Sequence, residues 1–221
     1  MLRIAAISLA ALTSITSLIA GSSATHLVAI APTSLVLEGT SNVSAWRCHS
    51  TTVDADMNVA APMDRINAVI DRIEDGNVGV WMNNAADGKF PPPDFAMVIP
   101  VPALRCGNPV MERDMRQALL ADRFPAIVFH FSELISGITH DIDHNTYAAI
   151  ISGEITLAGA HKQIQLPVVA QRLARDRFRI QAELPLRMTD FGVRPPTALF
   201  GMVKARDELV VRFDLVLQVT P

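Results

Sequence analysis

The sequence is poor in the features on which many enzymes and nucleic-acid-binding proteins rely. Aromatic residues make up only 5% of the 221 residues, and the formal net charge is −3. Nucleic-acid binding needs a basic surface and often aromatic stacking platforms, so the composition argues against a nucleic-acid partner. The chain has no Gly-Xaa-Ser-Xaa-Gly elbow, phosphate-binding glycine-rich loop or His-Glu-Xaa-Xaa-His motif. It therefore does not indicate the hydrolase, nucleotide-binding or zinc-peptidase classes, and no cofactor is predicted.

Long apolar runs are absent after the N-terminal segment. Arg3 precedes an apolar stretch at 4–20, and small residues follow it up to Ala24. This pattern is typical of a secretory signal peptide, although a retained membrane anchor is the alternative. The stretch is short for a spanning helix, which needs about 20 apolar residues. We predict that residues 1–24 are removed and that residues 25–221 form one exported domain without stable membrane insertion.

Cysteine is also scarce, since Cys48 and Cys106 are the only two in the chain. In an exported protein they are predicted to form a disulfide. Two buried free thiols, or part of a metal site, are the alternatives. Without a Cys-Xaa-Xaa-Cys pair, the evidence for metal or redox chemistry is poor.

The sequence does show alternation of apolar and polar residues. This pattern is typical of antiparallel strands with one face exposed to solvent. Phe178, Ile180 and Ala182, for example, alternate with charged or polar neighbours. Leu35 is predicted to begin the first strand, after a short lead at 25–34. Further strands are predicted at 45–59, 96–104, 127–135, 146–158, 162–173, 177–187 and 208–219. About eight such strands allow a closed barrel.

Two segments show helical rather than strand periodicity. In 62–76, apolar residues recur at helical spacing, which predicts a short amphipathic helix. In 109–122, Asn108 suits the N-cap and Pro109 the first helical position. Met111 and Met115 then lie on one face of this second helix.

One polar cluster contains residue types that could bind a metal ion. His140, Asp141, Asp143 and His144 form the run HDIDH, and imidazole with carboxylate can bind a divalent ion. The run lies between two predicted strands, however, where a polar hairpin turn is expected in any case. We therefore interpret it as a solvated turn and predict no metal site.

Six segments, in order along the chain, resemble the YceI-like family of periplasmic lipocalin-like barrels that bind polyisoprenoid lipids. They are LEGTSNVSAW (37–46), IPVPALRCG (99–107), MERDMRQALLADRFPAIVFHF (111–131), SGEITLAGAHKQIQLPV (152–168), MTDFGVRP (188–195) and ELVVRFDLVLQV (208–219). Within 61–95, the helical segment and the loop at 83–94 depart from the pattern of the family.

The resemblance implies a mainly β protein, a single antiparallel lipocalin-like barrel of about eight strands with one or two short helices. It implies non-catalytic binding, transport or storage of a long isoprenoid or acyl lipid, in a periplasmic or secreted protein. The candidate lipid-lining residues are Phe129, Phe131, Ile151, Ile155, Ile180, Val211, Phe213 and Leu215, with Met111 and Met115 of the second helix covering one end of the pocket.

Other interpretations stay open. Taken alone, the apolar stripe is typical of a packed core, and a structural or protein-interaction barrel with a filled interior would show the same pattern. In that case the divergent 61–95 segment would dock a partner. A metal-dependent enzyme using the 140–144 cluster is a second alternative, and a homodimer is compatible with either barrel.

Overall fold

A computed structural model describes residues 24–75, 92–198 and 202–220 of the chain. The predicted signal peptide, apart from Ala24, and most of the predicted 83–94 loop lie outside these residues. The described strands are β1 Thr25–Ser41, β2 Ala45–Ser50, β3 Asp54–Val59, β4 Asp94–Pro100, β5 Ala126–Leu134, β6 Thr139–Asp141, β7 Thr146–Leu157, β8 Ala160–Ala174, β9 Arg177–Arg187, β10 Thr197–Ala198 and β11 Val203–Val219. The described α-helices are α1 Met63–Glu74 and α2 Pro109–Ala118.

Eight strands close into a barrel. Their order around the ring is β11-β9-β8-β7-β5-β4-β3-β1, and β1 pairs again with β11, every contact being antiparallel. Strands β2, β6 and β10 add to β1, β7 and β11 respectively. The predicted fold class, a mainly β antiparallel barrel with short helices, is confirmed.

Three predicted strand boundaries were wrong. β1 begins at Thr25 rather than Leu35, because its first residues pair with the distant strands β3 and β11. The predicted 45–59 strand is interrupted between Ser50 and Asp54. β4 ends at Pro100 and a 3-10 turn follows, because Pro100 and Pro102 have no backbone N–H to donate to a ladder.

Both predicted helices are present. The Asn108 side chain accepts hydrogen bonds from the backbone N–H groups of Val110 and Met111, which satisfies donors at the start of α2. The helix ends at Ala118, earlier than predicted, and Leu120 then has a φ of 53°. Within the described residues, no helix is long and apolar enough to cross a membrane.

The predicted disulfide is confirmed. Cys48 on β2 is bonded to Cys106, with Cα atoms 4.0 Å apart. It ties the β1–β2 hairpin to the segment that leads into α2. The inner faces of the strands build one continuous apolar core around this region, and Cys48 is fully buried in it.

The two helices lie at opposite ends of the barrel. α2 packs against strand ends near Ile99 and Leu157, where Met115 and Leu119 join the core. α1 follows β3 directly and hydrogen-bonds to Arg172, near the end of β8. In the ring, β3 and β8 are four positions apart among eight, so α1 spans the other mouth from side to side.

Candidate functional site

The α2 end of the barrel encloses a small apolar cavity of about 60 Å³. Of the described lining residues, only Arg187 is charged. Four residues predicted to contact lipid, Ile155, Val211, Phe213 and Met115, are among those that line it. A water-sized space needs polar partners to hold water, so a cavity lined in this way favours apolar contents.

Four of the predicted lining residues are fully buried. Phe129, Ile155, Val211 and Leu215 are each less than 7% exposed and belong to the main core. The Phe129 ring packs edge-to-face against Phe95, with centroids 6.2 Å apart. These side chains are part of the packed core of the barrel.

Four other predicted residues are only half-buried. Phe131, Ile151, Ile180 and Phe213 pack against the core but keep partial solvent access. Strand register places Phe131 opposite Gly153, next to the buried pair of Phe129 and Ile155 on the same face. It places Ile151 opposite Leu166, Ile180 opposite Leu215 and Phe213 opposite Leu35, and these three partners are buried. Since side chains of paired residues share a face, these four point into the barrel. The interior is therefore partly accessible to solvent.

The two methionines of α2 have different surroundings. Met115 is 7% exposed and separates the inner cavity from a second pocket of about 210 Å³ on the flank of the helix. Met111 lines this second pocket, together with Trp46. Met115 thus lies between the barrel interior and the pocket on the flank of α2, whereas Met111 lies at the flank pocket.

The α1 end carries a polar cluster built around Arg172. Its guanidinium donates to Asp71 at 2.6 Å, to Asn67 at 2.8 Å and to Glu74 at 3.4 Å, all on α1. The Tyr147 hydroxyl on β7 also donates to Glu74. Burial and this carboxylate together raise the pKa of Tyr147, so the phenol is neutral across the physiological range.

Comparison with known proteins assigns the family. The sequence pattern of the YceI-like domain matches residues 39–217, most of the chain. The protein belongs to the YceI-like family.

Two solved structures show the same fold as this YceI-like chain. BcnA from Burkholderia cenocepacia is 16% identical, with a TM-score of 0.54 over 83% of this chain and 94% of that chain. A polyisoprenoid binding domain from Saccharophagus degradans implicated in plant cell wall breakdown is 10% identical, with a TM-score of 0.56 over 88% of this chain and 98% of that chain. No curated protein matches the chain. At these identities the likeness shows the fold alone.

The 140–144 cluster of this YceI-like chain forms a hairpin turn. His144 Nδ1 lies 2.9 Å from Asp141 Oδ2, and the His140 ring stacks on Tyr147 at 4.8 Å. Hydrogen bonds from His144 are the main cause that lowers the pKa of Asp141. In the part of the chain that the structure describes, no group of three or more His, Cys, Asp or Glu side chains could hold a metal ion. The contacts of these residues are those of a turn.

The Arg172 cluster was missed by the sequence reasoning. A signal for it was present, because the inner-face series of β8 runs Leu166, Val168, Ala170 and then Arg172. A charged residue in an apolar series marks a position that needs a partner. Its partners lie about a hundred residues earlier in the chain, and only the fold brings them together.

Proposed function

We propose that this YceI-like protein binds a long apolar lipid, a polyisoprenoid or similar chain, inside its barrel and does not transform it chemically. The observation that carries the proposal is the accessible apolar inner face at Phe131, Ile151 and Ile180. A barrel whose only task is structural gains stability by burying such residues fully. Leaving them partly open favours a ligand that completes their burial.

The length of the ligand can be estimated from the free energies of burial and association. Each buried methylene contributes about 0.8 kcal/mol, whereas association costs roughly 4–15 kcal/mol before any affinity is observed. An apolar pocket therefore needs on the order of twenty carbons to bind well. The cavity beside α2, at about 60 Å³, is too small for such a chain. We propose that the chain fills the accessible interior and ends against Met115, whose flexible side chain can adapt.

Two further considerations support this ligand class. The solved Saccharophagus degradans domain with the same fold is described as polyisoprenoid binding. The described residues around the cavity are apolar, apart from Arg187. Such side chains exclude water and contribute dispersion contacts, which suits a carrier or store rather than a catalyst.

A periplasmic or secreted location is part of the proposal. The Cys48–Cys106 disulfide suits an oxidising compartment, and residues 1–24 carry the pattern of a signal peptide. In that compartment an apolar chain would need shielding from water as it moves.

The first test is native mass spectrometry of the protein purified from its own cells, followed by organic extraction. We expect a discrete added mass that extracts as a long isoprenoid or acyl species. A bare mass, with no uptake of offered prenyl or acyl chains, would contradict the proposal and favour the barrel with a filled core.

A pair of adjacent isoleucines provides a matched test of the binding face. Ile151 is half-buried and points inward, whereas Ile150 is 38% exposed and points outward. We expect Ile151→Gln to weaken binding of a fluorescent prenyl chain about tenfold, the effect of losing part of one buried aliphatic side chain. Ile150→Gln should leave the affinity unchanged. Equal effects of the two substitutions would place the ligand elsewhere, and melting curves without ligand check that both variants are folded.

A further inference from the structure

Arg172 lies on the inner face of the barrel near its α1 end. It pairs with Phe178, which in turn pairs with the buried Leu217, so the three share the inner face. The Arg172 side chain is only 11% exposed. A guanidinium in an apolar barrel is costly unless oxygen acceptors surround it, so its position requires an explanation.

Among the described residues, the oxygens that the Arg172 side chain contacts belong to α1. They belong to Asp71, Glu74 and Asn67, and the Asp71 carboxylate is the closest at 2.6 Å. The hydrogen bond from Arg172 is the largest cause that lowers the pKa of Asp71, which keeps this carboxylate charged. The α1 carboxylates thus supply negative charge to Arg172.

Within the described residues, the buried apolar side chains of α1 lie outside the main core cluster. Its buried residues Val69 and Ile73 form a small cluster with Ala61, separate from the main core cluster. Val59 and Tyr147 flank this small cluster. The polar contacts with Arg172 add to this cluster in holding α1 at the mouth, and other oxygens can replace the α1 carboxylates.

We infer that Arg172 anchors the anionic head group, a phosphate or a carboxylate, of a chain whose tail lies in the barrel. In the ligand-free form Asp71 and Glu74 occupy the place of that head group. This inference rests on the proposed function, since it needs an apolar tail inside the barrel. Carboxylate and phosphate oxygens both match the fork of guanidinium donors, so an incoming head group can replace the α1 carboxylates like for like.

The position of Arg172 agrees with this assignment. It lies at the mouth, where a head group would stay near water while the tail enters past Ile180 and Ile151.

The test compares matched ligands that differ only in the head group. A prenyl alcohol of about twenty carbons is compared with its monophosphate, and a fatty alcohol with its fatty acid, by competition against a fluorescent prenyl chain. We expect the wild-type protein to prefer at least one anionic ligand over its alcohol by about tenfold or more, because the anion pairs with Arg172 while the displaced, partly exposed α1 carboxylates return to water. The pair that shows the preference identifies phosphate or carboxylate as the head group.

Substitutions then assign the preference to Arg172. Arg172→Gln should abolish the preference while alcohol binding persists, and Arg172→Lys should restore part of it. Asp71→Asn/Glu74→Gln should increase the preference by removing the competing carboxylates. Arg177→Gln is the matched control, because it removes the same charge from the outer face of the same hairpin.

The possible failures are distinguishable. If the wild-type protein binds none of the four ligands, the proposed function fails and the anchor with it. If alcohols and anions bind equally, or if Arg177→Gln reduces the preference as much as Arg172→Gln does, the anchor is overturned while lipid binding stands.

Discussion

At the scale of single residues, glycine on the inner face decides where aromatic rings fit. A Cβ atom on Gly153 would lie 2.4 Å from the Phe129 ring and 2.5 Å from the His130 backbone oxygen. Phe129 is 4% exposed and cannot move aside without disturbing the core. Gly39 likewise leaves room for the Trp46 ring, which would lie 2.3 Å from a Cβ atom added at Gly39. In both places the ring occupies the volume that any other side chain would need.

Gly153→Ala is therefore expected to destabilise the protein. Overpacking of a well-packed core costs about 1–3 kcal/mol, and here both a buried ring and backbone must shift. The free energy of unfolding, measured in urea, should fall by that amount. Ser152→Ala, at the next residue on the outer face, is the control and should change it by less than about 0.5 kcal/mol. Equal stability of Gly153→Ala and wild type would show that the Phe129 ring can move freely.

At the scale of elements, ion pairs connect neighbouring strands on the outer face of the barrel. Arg179 on β9 holds the Asp214 carboxylate on β11 in a two-pronged contact, with Nε 2.7 Å from Oδ1. Arg212 similarly links β11 to Glu183 on β9 and to Glu38 on β1. Such pairs help fix the register of charged residues outside and apolar residues inside.

The Asp214 pair gives a prediction about pH. Hydrogen bonding from Arg179 is the largest cause that lowers the pKa of Asp214 in the folded protein. A carboxyl group with a lowered folded pKa stabilises the fold above its unfolded pKa of about 3.9, and the contribution is lost as the pH falls through the folded value. We expect Asp214→Asn to lose about 1 kcal/mol at pH 7 and to show a smaller loss of stability on acidification below about pH 4.

Urea unfolding at pH 7 and pH 3 measures this difference. Asp143→Asn, in the exposed β6–β7 turn, serves as the control and should follow the wild-type pH dependence. An Asp214→Asn variant with the same acid sensitivity as wild type would refute the assignment.

At the scale of the whole molecule, the disulfide and the two helices determine how the ends of the barrel are closed. Cys48 and Cys106 are 58 residues apart in sequence, and the bond encloses α1 and β4 in one covalent loop. The bond ties the start of α2 to β2, beside the small cavity. The opposite mouth depends on α1 and its contacts with Arg172. One end is thus tied covalently, and the other is held by the Arg172 contacts together with the small apolar cluster of α1.

Removal of the disulfide should lower the stability of the whole barrel by about 2–4 kcal/mol, because the unfolded chain gains freedom. The comparison is between urea unfolding midpoints of the oxidised protein, the reduced protein and Cys48→Ala/Cys106→Ala. Alanine avoids placing a polar group at the fully buried position of Cys48. The reductant should have no effect on the double variant. Identical midpoints for the oxidised and reduced wild-type protein would contradict the prediction.

The sequence by itself determined the class of fold and much of the inner face. Alternation at 177–187 and 208–219 identified strands whose inward residues are Ile180, Val211 and Leu215, because a period of two places alternate side chains on opposite faces. The N-cap at Asn108 and the disulfide were also predictable, since both depend on local chemistry or on residue type.

Only the tertiary structure decided the rest, and the reason is sequence distance. Phe129 and Phe131 both point inward from β5, but Phe129 is buried and Phe131 is half-buried. The difference depends on which elements cover each end of the ring. The extension of β1 to Thr25 depends on partners in β3 and β11. Arg172 meets Asp71 because β3 and β8 face each other across the ring and α1 spans the space between them. The alternation of residues along a strand indicates which face of the sheet a side chain lies on. Which residue it contacts across the barrel depends on how the strands close into a ring.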